Sequence, residues 1–393
     1  VRDWARRLHV PTRHWPKRLG GKWIAIVLFA AVLFTYELFD LWSLPRGTAY
    51  LVIAYFVVAM GVDLLFTGAS FCKHVCPIGQ FNFLTSTVSP LEVQVRSADT
   101  CRSCHTADCV SGHRPGGRST PIVQRGCELG LFLPAKVGNL DCTFCLDCVQ
   151  ACPHDNVALG TRAPGVELAD ANRRSAIGRL ADRPDLVVLV LLFVFGAVMN
   201  AFGMITPVYR VEQWLTTMTG GAPEAVVLGI LFVAVIVVAP IVVVGGAAVA
   251  TRIVSADARS PWRITARYVY ALVPLGVCLW TAHYAFHLLT GALTVVPVTQ
   301  SAVIDLMGWP MFGEPLWRWA GMRPGKVFPI QLGFAIFGAV GSIGVAHLIS
   351  LHDHPKRAVR ATMPWAIAIA IITVAAIWVL FQPMEMRGVG FGG

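Results

Sequence analysis

The stretch Cys142-Thr143-Phe144-Cys145-Leu146-Asp147-Cys148-Val149-Gln150-Ala151-Cys152-Pro153 decides how this chain is read. Its C-x2-C-x2-C-x3-C-P spacing matches a bacterial-type [4Fe-4S] ligand segment, in which three close thiolates wrap three iron corners and the fourth comes from elsewhere. In two-cluster proteins of this kind the Cys before the Pro serves the other cluster, so a partner run is expected nearby. Cys101, Cys104, Cys109 and Cys127 supply one, as a looser C-x2-C-x4-C with a distant fourth thiol. Crossed pairing predicts one cluster on Cys101, Cys104, Cys109 and Cys152, and another on Cys127, Cys142, Cys145 and Cys148. Structural zinc fits poorly, because it takes two separated C-x2-C pairs whereas four thiols here crowd into eleven residues.

The chain has 393 residues, of which 55% are hydrophobic and 14% charged. A soluble domain is about a quarter charged, so this composition reads as an all-α integral membrane protein. Seven apolar stretches approach the roughly 20 residues that a spanning helix needs. They run from Trp23 to Trp42, Ala49 to Thr67, Leu186 to Val208, Ala225 to Ala250, Tyr268 to Leu289, Phe328 to Ser350 and Met363 to Phe381.

The net charge of +10 belongs to this topology and not to nucleic acid. Threading the seven spans from an inside N-terminus leaves 26 of the 32 Lys and Arg on one side. By the positive-inside rule the cysteine-rich segment is then cytoplasmic and the C-terminus outside, as in a multi-pass protein of a bacterial inner membrane. A cytoplasmic location is reducing, which argues against disulfides for the eight thiols.

Three parts follow. Residues 1–68 hold a basic segment and two helices, 69–185 an inserted cytoplasmic domain organised around two clusters, and 186–393 five further helices. The insert is rich in Gly, Pro, Ser, Asp and Cys and has no long periodic run, as expected where inorganic clusters replace much of a side-chain core. Arg162 to Arg183 reads as a basic surface linker or a short amphipathic helix.

With these features in order, the chain resembles the membrane polyferredoxins of the NapH and NosR type. A helix pair leads into Phe71-Cys72-Lys73-His74-Val75-Cys76-Pro77, a C-x3-C-P segment, and the Cys101 and Cys142 sets follow before the chain returns to the membrane. The resemblance covers roughly residues 50 to 210. It implies a bacterial-type 2[4Fe-4S] ferredoxin fold for the insert and a role in membrane electron transfer.

Two further groups are candidates. Cys72 and Cys76, four apart, suit a redox-active dithiol, a soft-metal site such as Cu(I), a substitute ligand for the irregular Cys101 cluster, or packing at a helix end. His283 and His287, also four apart, share one face of the fifth span, with Met199 and Met204 on the third span as conceivable companions. An ionisable side chain inside a span is a functional candidate by default, and here the options are a quinone, haem or copper site. Cys278, alone in mid-span, reads as packing.

The expected function is electron relay through two [4Fe-4S] clusters, between a cytoplasmic redox partner and the quinone pool or an extracytoplasmic acceptor. The alternative is a metallocofactor maturation or copper-handling factor supplied with electrons by the clusters. No glycine fingerprint for a dinucleotide follows a strand.

Overall fold

A computed structural model describes residues 11, 13–116, 120–319 and 321–384. The expected outside C-terminus and the first ten residues of the basic N-terminal segment lie outside the described residues.

Six helices among the described residues are long and apolar enough to cross a membrane, where the sequence suggested seven. α1 (Trp23–Leu38) falls short at 16 residues, or about 24 Å at 1.5 Å per residue, because Asp40 breaks the helix with a left-handed backbone. α2 (Pro45–Leu65) follows, and backbone bonds join Arg13, in the segment before α1, to Leu65 and Thr67 at the far end of α2.

α2 leads into a π turn, Phe71–Val75, and α3 (Pro77–Thr85). Then comes the insert. Strand β1 (Leu91–Val95) pairs antiparallel with β2 (Val157–Thr161), from Leu91 opposite Thr161 to Val95 opposite Val157. Between the strands lie three short helices, α4 (Ala98–Arg102), α5 (Asp108–Ser111) and α6 (Asp147–Ala151). α5 and α6 are similar in sequence as well as in place. Ala107-Asp108-Cys109-Val110 and Leu146-Asp147-Cys148-Val149 each begin with a left-handed residue, followed by Asp and Cys in the first helical turn. The two helices pack on each other.

The arm from 162 to 183 is neither a surface linker nor an amphipathic helix. It winds around Glu167, whose carboxylate meets Arg162 and Arg174 and accepts from the Asn139 amide at 2.7 Å. Glu167 and Arg174 are both buried. A buried carboxylate needs such partners, and the one from Asn139 holds this arm against the loop that leads to Cys142.

α7 (Pro184–Phe202) is central and buried on nearly every face. The expected third span continued to Val208, but the helix stops at Phe202. Gly203 closes it, Ile205 is extended, and Pro207 sits in the first turn of the amphipathic α8 (Thr206–Met218). Around α7 stand α9 (Glu224–Ser255), which carries a π turn at Ala234–Val238, and α10 (Pro261–Gly291). The short α11 (Val295–Met307) precedes α12 (Pro324–Asp353) and α13 (Pro355–Phe381). α10 and α12 approach closely where Gly338 faces Cys278: a Cβ on the glycine would sit 2.6 Å from the Cys278 Cβ. Cys278 therefore serves packing.

One end of the bundle gathers the segments that sequence threading put on the basic side. Arg259 bonds Asp257 and Asp353, Arg267 bonds Asp353 and the Ala169 carbonyl, and Tyr270 bonds the Leu180 carbonyl at 2.8 Å. Lys22 donates its amide to Asp185. At the other end Thr206 bonds Pro383, and Met322 bonds Leu289.

Candidate functional site

Each thiol owes its position to a local feature of the chain. Cys101 ends α4, which begins with the side-chain oxygen of Ser97 accepting from Thr100. Cys109 and Cys148 occupy the second residue of α5 and α6, placed there by the left-handed Ala107 and Leu146. Cys142 follows Asp141, and Phe144 lies between Cys142 and Cys145; both Asp141 and Phe144 have positive φ, so the loop coils and turns its sulfurs to one side.

The thiols fall into two groups. Asn156 joins Cys152 to Cys101, its amide donating to Cys152 Sγ at 3.4 Å and its side chain to Cys101 Sγ at 3.2 Å. Cys109 belongs with them: burial pushes its thiol up to about 11, and the neighbouring Cys152, Cys101 and Cys104 push in the same direction. The second group is Cys127, Cys142, Cys145 and Cys148. All four line one cavity of about 70 Å³, otherwise walled largely by aliphatic and aromatic groups such as Val93, Leu131 and Phe144. Burial pushes Cys148 up to about 12, with contributions from Cys127, Cys142 and Cys145 and a smaller one from Cys109 of the first group. The groups touch where the Cys127 amide donates to the Cys109 carbonyl.

Among the described residues no three His, Cys, Asp or Glu converge as a single metal ion would require. A four-iron cluster asks for something different, one thiolate at each corner of an inorganic cube, and hence four sulfurs around a space. Cys127, Cys142, Cys145 and Cys148 line one cavity, and a set of four thiols is the donor set that such a cluster takes. N–H donors aimed at sulfur, from Asn156 and from Leu131 to Cys127 at 3.4 Å, are the contacts that stabilise a thiolate.

Cys72 and Cys76 stand beside the second group. Cys72 is in the π turn and exposed; Cys76 is buried and caps α3, accepting from the Gly79 amide at 3.0 Å. The Tyr55 hydroxyl of α2 lies 2.6 Å from Cys76 Sγ. The two thiols also hydrogen-bond each other, which draws Cys76 down to about 6 and pushes Cys72 up. Lys73 links this pair to the thiol-bearing loops, its Nζ reaching the Leu129 carbonyl at 3.3 Å and Asp141 at 3.9 Å. Lys22, almost fully buried, bonds Asp141 at 3.1 Å; burial lowers its pKa and Asp141 offsets part of that.

The His pair lies elsewhere. His283 is fully buried and its Nε2 meets Asn200 Nδ2 at 2.9 Å, while its Nδ1 has no hydrogen-bond partner. His287 stacks on Trp42 with ring centroids 5.8 Å apart. Met199 and Met204 are buried, Met199 within the main hydrophobic core. The group paired with His283 is Asn200, which sequence reasoning passed over although an amide in mid-span needs a partner. Tyr55 and Asn156 were also missed, because nothing local in the sequence points a Tyr or an Asn at a sulfur far along the chain.

No family model, curated protein or solved structure matches this chain.

Proposed function

We propose that this chain is a membrane-bound electron-transfer protein with two [4Fe-4S] clusters, working between a cytoplasmic redox partner and quinone or an extracytoplasmic acceptor. One observation carries the reading: eight thiols in two groups of four, joined at the Cys109–Cys127 peptide contact. Cys101, Cys104, Cys109 and Cys152 would hold one cluster, and Cys127, Cys142, Cys145 and Cys148 the other. Such clusters, when bound, accept and release single electrons at potentials set by burial and by hydrogen bonds to sulfur. The protein's part is to fix the thiols, exclude water from the cavity with Val93, Leu131 and Leu133, and aim amides at the sulfurs.

The strand pairing of β1 with β2 and the matching helices α5 and α6 support a bacterial-type ferredoxin fold for the insert. The gathering of the basic segments at one end of the bundle supports a cytoplasmic insert in a bacterial inner membrane, through the positive-inside rule. Anaerobically purified protein should contain about eight iron and eight acid-labile sulfide per chain. A chain loaded under cluster-assembling conditions that holds no labile sulfide would refute this function.

A further inference from the structure

We propose that Cys72 and Cys76 form a redox-active dithiol that exchanges an electron pair and two protons with a membrane quinone. This rests on the electron-transfer reading above and gives its quinone end a pair of residues.

Position supports it first. The pair sits just past the end of α2, where the chain leaves its apolar helix, and Cys72 is exposed there. Cys76 behind it is the thiolate of the pair. Its sulfur faces the Tyr55 hydroxyl and the Gly79 amide at the start of α3, and hydrogen bonds and the helix dipole both favour a thiolate there. Cys72, pushed up by the neighbouring Cys76, keeps its proton until the disulfide forms.

The turn is also locked. A Cβ on Gly79 would lie 2.2 Å from the Cys72 carbonyl oxygen, so only glycine lets the first turn of α3 fold back on Cys72.

The step balances within the named reactants. The Cys72 S–H bond breaks and one S–S bond forms with the Cys76 thiolate; the quinone gains two electrons, the Cys72 proton and, from water, the proton that Cys76 had released, makes two O–H bonds and leaves as quinol. The reverse step reduces the disulfide. Ala69, two residues before the π turn, lines the cavity of the second thiol group.

The test uses the full chain in lipid nanodiscs under anaerobic conditions, with iron and sulfide determined on the same sample. Duroquinone, whose ring carbons are all methylated and do not add thiols, is supplied and removed, followed by iodoacetamide and mass spectrometry of the peptide with Cys72 and Cys76. The expected result is loss of alkylation at both positions, its return after dithiothreitol, and formation of one duroquinol per chain. Full alkylation of both thiols after duroquinone overturns the proposal, as does protection reversed by a Cu(I) chelator but not by dithiothreitol. The two readings fail separately. Full iron with no disulfide removes the dithiol and leaves the clusters, whereas a quinone-formed disulfide in protein that cannot be loaded with iron leaves the dithiol and removes them.

Discussion

The amide of Cys127 donates to the carbonyl of Cys109 at 2.8 Å, so a thiol-bearing residue of each group belongs to one peptide contact. The groups cannot move apart without breaking it. Two centres bound there would sit in one body, close enough for an electron to pass between them.

Crossed grouping makes single-cysteine variants informative. Cys152→Ala should remove about four of the eight iron and abolish the signal of the cluster on the Cys101 set, while Cys127→Ala should remove a similar share from the Cys142 set. Low-temperature electron paramagnetic resonance during redox titration checks this. Loss of the same signal in both variants would contradict the grouping.

Asn156 spans Cys152 and Cys101, and its side-chain bond can be removed without touching a thiol. Asn156→Ala should lower the potential of the cluster on that set, because the lost donor favoured the more negative reduced state. A differential stabilisation of about 1 kcal/mol corresponds to about 40 mV for a one-electron couple. An unchanged potential would mean that the amide contributes nothing to the couple.

The reactivity of Cys76 should follow its lowered pKa. The thiolate is the reacting form, so iodoacetamide modification of reduced protein should reach half its maximal rate near pH 6, against about 8.5 for an ordinary thiol. Tyr55→Phe removes a hydrogen bond that holds the thiolate and should move the midpoint up by about one pH unit. Peptide-resolved alkylation rates across pH 5 to 9, spanning those two midpoints, decide it; an unmoved midpoint would show that the phenol does not donate to this sulfur.

Asp141→Ala leaves Lys22 as a buried cation without its carboxylate and should cost about 3–5 kcal/mol. The double variant Lys22→Met with Asp141→Ala should recover most of that. Thermal unfolding in detergent would show it as a clear loss of melting temperature in the single variant and near recovery in the double.

What could be read in the sequence was carried by strong local spacing. The cysteine runs fix which thiols share a loop, and long apolar stretches mark helices such as α7 and α9. Other features depend on distant partners. Nothing around Trp23 says that Asp40 will end the helix after 16 residues, and the apolar run past Phe202 hides the break made by Gly203, Ile205 and Pro207. The stretch from 162 to 183 looks like surface because its charges are evident and their burial around Glu167 is not. Tyr55 and Asn156 meet their sulfurs across 21 and 55 residues, a relation that composition and periodicity do not encode.

The bond between Lys22 and Asp141 also bears on how the chain is made. Lys22 leaves the ribosome long before Asp141, and until the insert folds its ammonium has no carboxylate to settle against at the foot of α1. Asp141 takes up its left-handed backbone directly before Cys142, so an insert that has not closed around its thiols withholds the counter-ion. Closure of the insert is thereby coupled to the residue that opens α1, far from it along the chain.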